Sequence, residues 1–249
     1  VNDLARASLT KPPLTPLKQD YYQRRPDLFV QVGRPPLVDT DPYVFKGDSS
    51  YGLPGSQQEL DTLAKHLEDA YQACQIDQDS SIEMHFTGQV FAKWNSASSQ
   101  YTSRHPTAAE IRVETGMALA HGAKGISFFT YRSSYNSTTG DSVLGLVNLQ
   151  GEHPAGTSYD DKWQAVQDVF TQLDSIGDTL LLLDRRAAFC ANEGGFLSPI
   201  DNVHFEEEES QDSAWIEVGQ FYGPGNTDYL IIVNRRTDAL AELVRGRGP

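Results

Sequence analysis

The sequence predicts an α/β fold, with parallel βα units up to about residue 183 and an antiparallel β segment from there to the end. Three observations predict it. Residues 81–91 alternate apolar and polar at period two, as a half-buried strand does. Segments of helical period with capping signals stand on either side of that strand. Near the C-terminus, two short runs of high β propensity are joined by Gly223-Pro224-Gly225-Asn226, which is the text of a hairpin. Strand and helix periods that alternate and then give way to hairpin-like strands read as a parallel sheet followed by a β segment.

The elements follow in order. Residues 1–27 are polar and punctuated by proline, with Leu17–Arg25 read as a short helix before Pro26. Leu28–Val32 reads as a strand ended by Gly33 and Pro35-Pro36. Leu37-Val38 forms a second short strand that runs into the acidic, aromatic loop Asp39-Thr40-Asp41-Pro42-Tyr43. Ser56 and Glu59 make a capping box for an amphipathic helix carrying Leu60, Leu63, Ala64, Leu67, Ala70 and Tyr71 on one face. In the strand over 81–91, Ile82, Met84, Phe86, Gly88 and Val90 share one face. Glu83, His85, Thr87, Gln89 and Phe91 share the other, which fits a barrel wall with its polar face inward. Residues 93–106 read as a loop holding Trp94 and Tyr101. Thr107 and Glu110 make a second capping box, for a helix over Ile111–His121 that Gly122 stops. Gly125–Tyr131 is a strand of high β propensity, and residues 132–157 are a long polar loop. Trp163–Leu183 is helical, with Gly177 as a point where it splits. The texture changes after Arg186, which places the boundary between a segment 1–186 and a β-rich segment 187–249.

Composition narrows the function. The 249 residues carry 20 Lys and Arg against 34 Asp and Glu, for a net charge of −14, and such a surface repels nucleic acid. No stretch approaches the roughly 20 apolar residues that span a bilayer, so no membrane partner is expected. Cys74 and Cys190 lack CxxC spacing; two buried free thiols are the favoured reading and one disulfide stays open. His66, His105, His121, His153 and His204 fall at no ligand spacing, and nucleotide, P-loop and zinc-protease motifs do not occur. Neither a metal nor a cofactor is expected. The chain begins with Val1 in text that looks already under way, with no signal-peptide pattern, and reads as a fragment or a processed product.

The segment Pro106-Thr107-Ala108-Ala109-Glu110-Ile111-Arg112, followed by Met117-Ala118-Leu119-Ala120-His121-Gly122-Ala123-Lys124-Gly125-Ile126-Ser127-Phe128-Phe129-Thr130-Tyr131, carries the clearest signal. It resembles the last helix-to-strand passage of (β/α)8-barrel glycoside hydrolases of the β-galactosidase-like, clan A type. Leu144–Asn148, Gly151 and the helix from Tyr159 fit that passage, and Tyr229–Asn234 looks like the accessory β-sandwich that follows such barrels. The resemblance spans roughly residues 28–235 and is strong over 106–150. It implies a TIM-barrel-like α/β fold, here the second half of a barrel, followed by a small antiparallel domain. The missing half would come from elsewhere in a longer chain or from another subunit. It further implies a saccharide ligand and a secreted or periplasmic location.

Glycosidases place two carboxyl groups on opposite sides of the scissile bond. In the families resembled, the acid/base ends the fourth strand and the nucleophile ends the seventh. The strand over 81–91 is the candidate seventh strand, and its last inward residue is Gln89, whose amide is no nucleophile. Asp39 and Asp41 are therefore the candidate catalytic carboxylates; their other reading is a turn. Glu83 and His85 read as a buried hydrogen-bonded pair, and Glu110 is explained by its capping box. Tyr43, Gln89, Trp94, Phe129, Tyr131 and Arg132 are the candidate substrate-binding residues. Aromatic faces stack on sugar C–H faces, with ordinary packing as the alternative. Arg132 either binds an acidic sugar or pairs with Asp141. Three readings stay open: a glycoside hydrolase, a non-catalytic sugar-binding or structural remnant of that fold, and an unrelated α/β protein whose helix-to-strand phrase matches by chance.

Overall fold

A computed structural model describes residues 16–17, 27, 30–31, 35–47, 57–76, 82–191 and 215–237. Among these, β1 (Pro16–Leu17), β2 (Leu37–Thr40), β3 (Glu83–Gln89) and β6 (Gly125–Phe129) form a parallel sheet in the order β1-β2-β3-β6. Helices α1 (Gln57–Cys74) and α2 (Ala108–Ala120) cover one face of it. The core follows from the alternation: Val38, Met84 and Phe86 point toward Leu60, Leu63 and Leu67 of α1 and Met117 and Ala118 of α2, and all are buried. The strands over 82–91 and 125–131 are adjacent and parallel, as the periodicity predicts, with Thr87 opposite Ser127 and Gln89 opposite Phe129.

The capping box of α2 is present: Thr107 accepts from the Glu110 N–H at 3.2 Å, and Glu110 accepts from the Thr107 N–H at 2.8 Å. The chain leaves the helix through Gly122 at φ +92°, a left-handed conformation that favours glycine. The long helix α3 spans Ser158–Leu181 without a break at Gly177. After it, β9 (Asp184–Cys190), β10 (Ile216–Gly223) and β11 (Thr227–Asn234) form an antiparallel sheet in the order β11-β10-β9. That sheet shares the core of the α/β layer: Val233 packs against it, and a Cβ on Gly116 of α2 would lie 3.1 Å from Val233.

Several expectations change. Residues 93–106 hold a hairpin, β4 (Ala92–Asn95) with β5 (Gln100–Ser103), because Trp94 and Tyr101 pair across it. The loop over 132–157 contains β7 (Ser134–Tyr135) and β8 (Ser142–Leu144), which complete a second antiparallel sheet, β5-β4-β8-β7. Within 27–32, the described Asp27, Val30 and Gln31 are helical, not extended. Glu83 and His85 lie 3.7 Å apart but are not a buried pair: Glu83, at the start of β3, is exposed and His85 is half-buried. Among the described residues the parallel sheet does not close into a barrel, and the tail is one sheet, not a sandwich; the architecture is mixed α/β. Ser56, most of Leu17–Arg25 and the acidic run Glu206–Glu209 lie outside the described residues. Cys74 and Cys190 are both buried and form no disulfide, and burial pushes the Cys74 thiol up to about 12.

Candidate functional site

Three parallel strands bring their C-terminal ends together, the edge at which open α/β sheets bind ligands. On the inward face of β2, Asp39 stands opposite His85 of β3, which is in turn opposite Gly125 of β6. Gly125 permits this approach, since a Cβ there would lie 2.5 Å from the His85 ring. Thr87 Oγ1 donates to both Asp39 oxygens, at 2.9 and 3.0 Å. Ser127 Oγ is 2.6 Å from the same Thr87 hydroxyl. Burial raises the Asp39 carboxyl above its ordinary value, and the Thr87 bond and the nearby His85 pull it partly back.

Aromatic rings rim this polar row. Tyr43 meets Phe91 edge-on at 4.9 Å, Phe91 meets Phe129 edge-on at 5.5 Å, and Tyr43 lies 6.0 Å from Phe129. Phe129 is 47% exposed although it ends a strand. The Tyr43 hydroxyl donates to Asp41, and burial together with Asp41 holds that phenol far above the usual tyrosine range. Asp39, Asp41, Tyr43 and Phe129 are thus gathered at one edge.

The other candidates are placed differently. Gln89 is buried beneath the edge, with its amide committed to backbone: it donates to the carbonyls of Phe45 (3.1 Å), Phe91 (3.2 Å) and Arg104 (3.3 Å) and accepts from the Phe45 N–H (3.2 Å). It organises three chain segments under the site. Trp94 belongs to a row of rings through Tyr101, His105 and Tyr159, spaced 5.1, 6.1 and 6.1 Å. Tyr131, 59% exposed, is 6.4 Å from Trp163, which stacks on His153 at 4.4 Å. Arg132 does not pair with Asp141. It donates to the Leu149 carbonyl at 2.9 Å, while Asp141 accepts from the Ser96 N–H at 2.9 Å.

Four features escape the sequence reading. Thr87 and Ser127 lie in the site itself; the period-two alternation placed Thr87 on the inward face and was the available signal. Arg104 binds two buried carboxylates, Glu110 at 2.7 and 2.8 Å and Glu59 at 2.9 Å. Glu114 of α2 is wholly buried behind β3, accepts from the Gln89 N–H and is held well above the carboxylate range by burial. Lys162 of α3 is buried with its ammonium on the Val90 carbonyl (2.9 Å), the Gly145 carbonyl and His105 Nδ1 (3.2 Å). Burial pushes Lys162 down to about 7, and burial with Lys162 pushes His105 down to about 4. Among the described residues, no three His, Cys, Asp or Glu side chains gather as metal ligands, and no helix is long and apolar enough to cross a membrane.

These features describe a mixed α/β protein with a polar, aromatic-rimmed candidate site at the C-terminal edge of a parallel sheet. No family model matches the chain, and no curated protein matches it. Among solved structures, a β-galactosidase from the psychrophilic Marinomonas ef1 is similar at 18% identity and a TM-score of 0.39. The similarity covers 60% of this chain and 23% of that one, so the chain spans under a quarter of the neighbour's length. Likeness at that level leaves the chemistry of the site to be argued from its own residues.

Proposed function

We propose that this chain is a carbohydrate-active segment of glycoside-hydrolase type that binds a saccharide at the C-terminal edge of its parallel sheet. The observation that carries the reading is the exposed Phe129 ring, standing beside Tyr43 and above the Asp39–Thr87–Ser127 row. An apolar ring face next to oriented hydroxyl and carboxylate groups matches the two sides of a sugar, its C–H face and its hydroxyls. Asp41, Tyr131 and Arg132 belong to the proposed rim, with Trp94 in a more distant subsite; Gln89 supports the site from beneath.

Binding is favoured over hydrolysis by this chain alone. Glycoside cleavage needs two carboxyl groups about 5–10 Å apart on opposite sides of one bond. Asp39 and Asp41 share one strand end, and the adjacent strand β3 offers there only the amide of Gln89, already committed to backbone. A partner carboxylate would come from a complementary half-barrel or another subunit. Calorimetric titration with a panel of oligosaccharides tests the reading. Phe129→Ala and Tyr131→Ala are expected to weaken binding about tenfold while leaving the melting transition in place. Unchanged affinity in both variants would reject the assignment. Against aryl-glycosides the chain is expected to be inactive; turnover that vanishes in Asp41→Asn would show that a second carboxylate, such as Glu83, completes a catalytic pair.

A further inference from the structure

Resting on that reading, we infer that Thr87 and Ser127 make the site selective for a ligand group that donates a hydrogen bond, a neutral sugar hydroxyl, and unreceptive to a carboxylate. A threonine hydroxyl has one hydrogen. That of Thr87 goes to Asp39, whose two oxygens lie at 2.9 and 3.0 Å. At the 2.6 Å contact Ser127 must then be the donor and Thr87 the acceptor. Ser127 is exposed, and its single proton is committed inward. What it presents outward is lone pairs. The row therefore runs in one direction, Ser127 to Thr87 to Asp39, and ends on a negative charge. A ligand hydroxyl extends it by donating to Ser127. A carboxylate meets lone pairs backed by the Asp39 charge, and both terms are unfavourable.

Arg132, the residue that would argue for an acidic sugar, stands outside this row, with one guanidinium N–H on the Leu149 carbonyl. The row also explains the small side chains here. Thr87 and Ser127 are opposite each other in the β3–β6 register, so their hydroxyls meet without displacing either strand.

The test is calorimetric titration of the parent, Thr87→Val, Thr87→Ser and Ser127→Ala at pH 7, with neutral methyl glycosides and the matching uronic acids. A carbon-13 titration of the Asp39 carboxyl accompanies it. Neutral glycosides are expected to bind at least about tenfold more tightly than the uronic acids. Ser127→Ala and Thr87→Val are each expected to weaken neutral binding about fivefold, the size of one hydrogen bond. Thr87→Ser restores it. Thr87→Val also moves the Asp39 titration further upward, because the bond that favours the carboxylate is lost. If uronic acids bind as tightly as neutral glycosides, or if both deletions keep parental affinity, the inference fails while saccharide binding stands. If no saccharide of either kind binds, both fail together. An Asp39 titration unmoved in Thr87→Val overturns the row itself.

Discussion

Arg104 shows how single residues hold the ground under the site. Its guanidinium is shared between Glu110, which is fully buried, and Glu59, which nearly is. Arg104→Met leaves two carboxylates in the interior without their cation. Loss of about 3–5 kcal/mol in urea unfolding is the expected result; a loss under about 1 kcal/mol would mean that the carboxylates find other partners. Lys162 poses the opposite case, a buried ammonium that has no carboxylate within hydrogen-bond reach among the described residues. Its folded value, about 7, lies below the ordinary 10.5. The unfolded chain therefore holds a proton between those values that the folded chain has lost, so stability rises with pH across that window. The cost of the buried charge is fully present below about pH 7. Melting temperature measured from pH 6.5 to 10 is expected to climb in the parent relative to Lys162→Met, and parallel profiles would contradict this.

At the scale of elements, β3 is the pivot. One face gives Met84 and Phe86 to the core, and the other gives His85 and Thr87 to the site. Gly88 lets α2 close against it: a Cβ there would lie 2.8 Å from both Glu114 Oε1 and Phe128. Gly88→Ala is expected to cost about 1–3 kcal/mol through overpacking, read as a lower denaturation midpoint with an unchanged slope. The α2 cap makes a smaller prediction. Thr107→Ala removes one capping bond and is expected to cost about 1 kcal/mol in the same measurement. Much at this scale was legible beforehand, since periodicity and capping residues are local signals. The α2 box, the Gly122 stop and the β10–β11 hairpin all follow from residues within a few positions of one another. The β4–β5 hairpin was not legible. Its Ser- and Asn-rich text reads as loop, and β4 is held as a strand by pairing with β5 and also with β8, some fifty residues on, which no local signal announces.

For the whole molecule, the parallel sheet places Asp39, Thr87, Ser127 and Phe129 on one open face, and α1, α2 and the C-terminal sheet secure it from behind. Of the candidate site, the sequence reading named the strand-end carboxylates and aromatics that the structure gathers at one edge. It did not disclose which hydroxyls bond to which carboxylate, because Asp39 and Thr87 are 48 residues apart in the chain. Nor did it show that the Gln89 amide is turned to backbone, which depends on three segments meeting around it. The saccharide proposed above sits on this face. Chemical-shift mapping of the isotope-labelled chain during titration with the tightest-binding neutral glycoside tests it most directly. Shifts concentrated at Asp39, Tyr43, Thr87, Ser127 and Phe129 are the predicted result. Shifts confined to α3 or to the β9–β11 sheet, with that set unmoved, would contradict it.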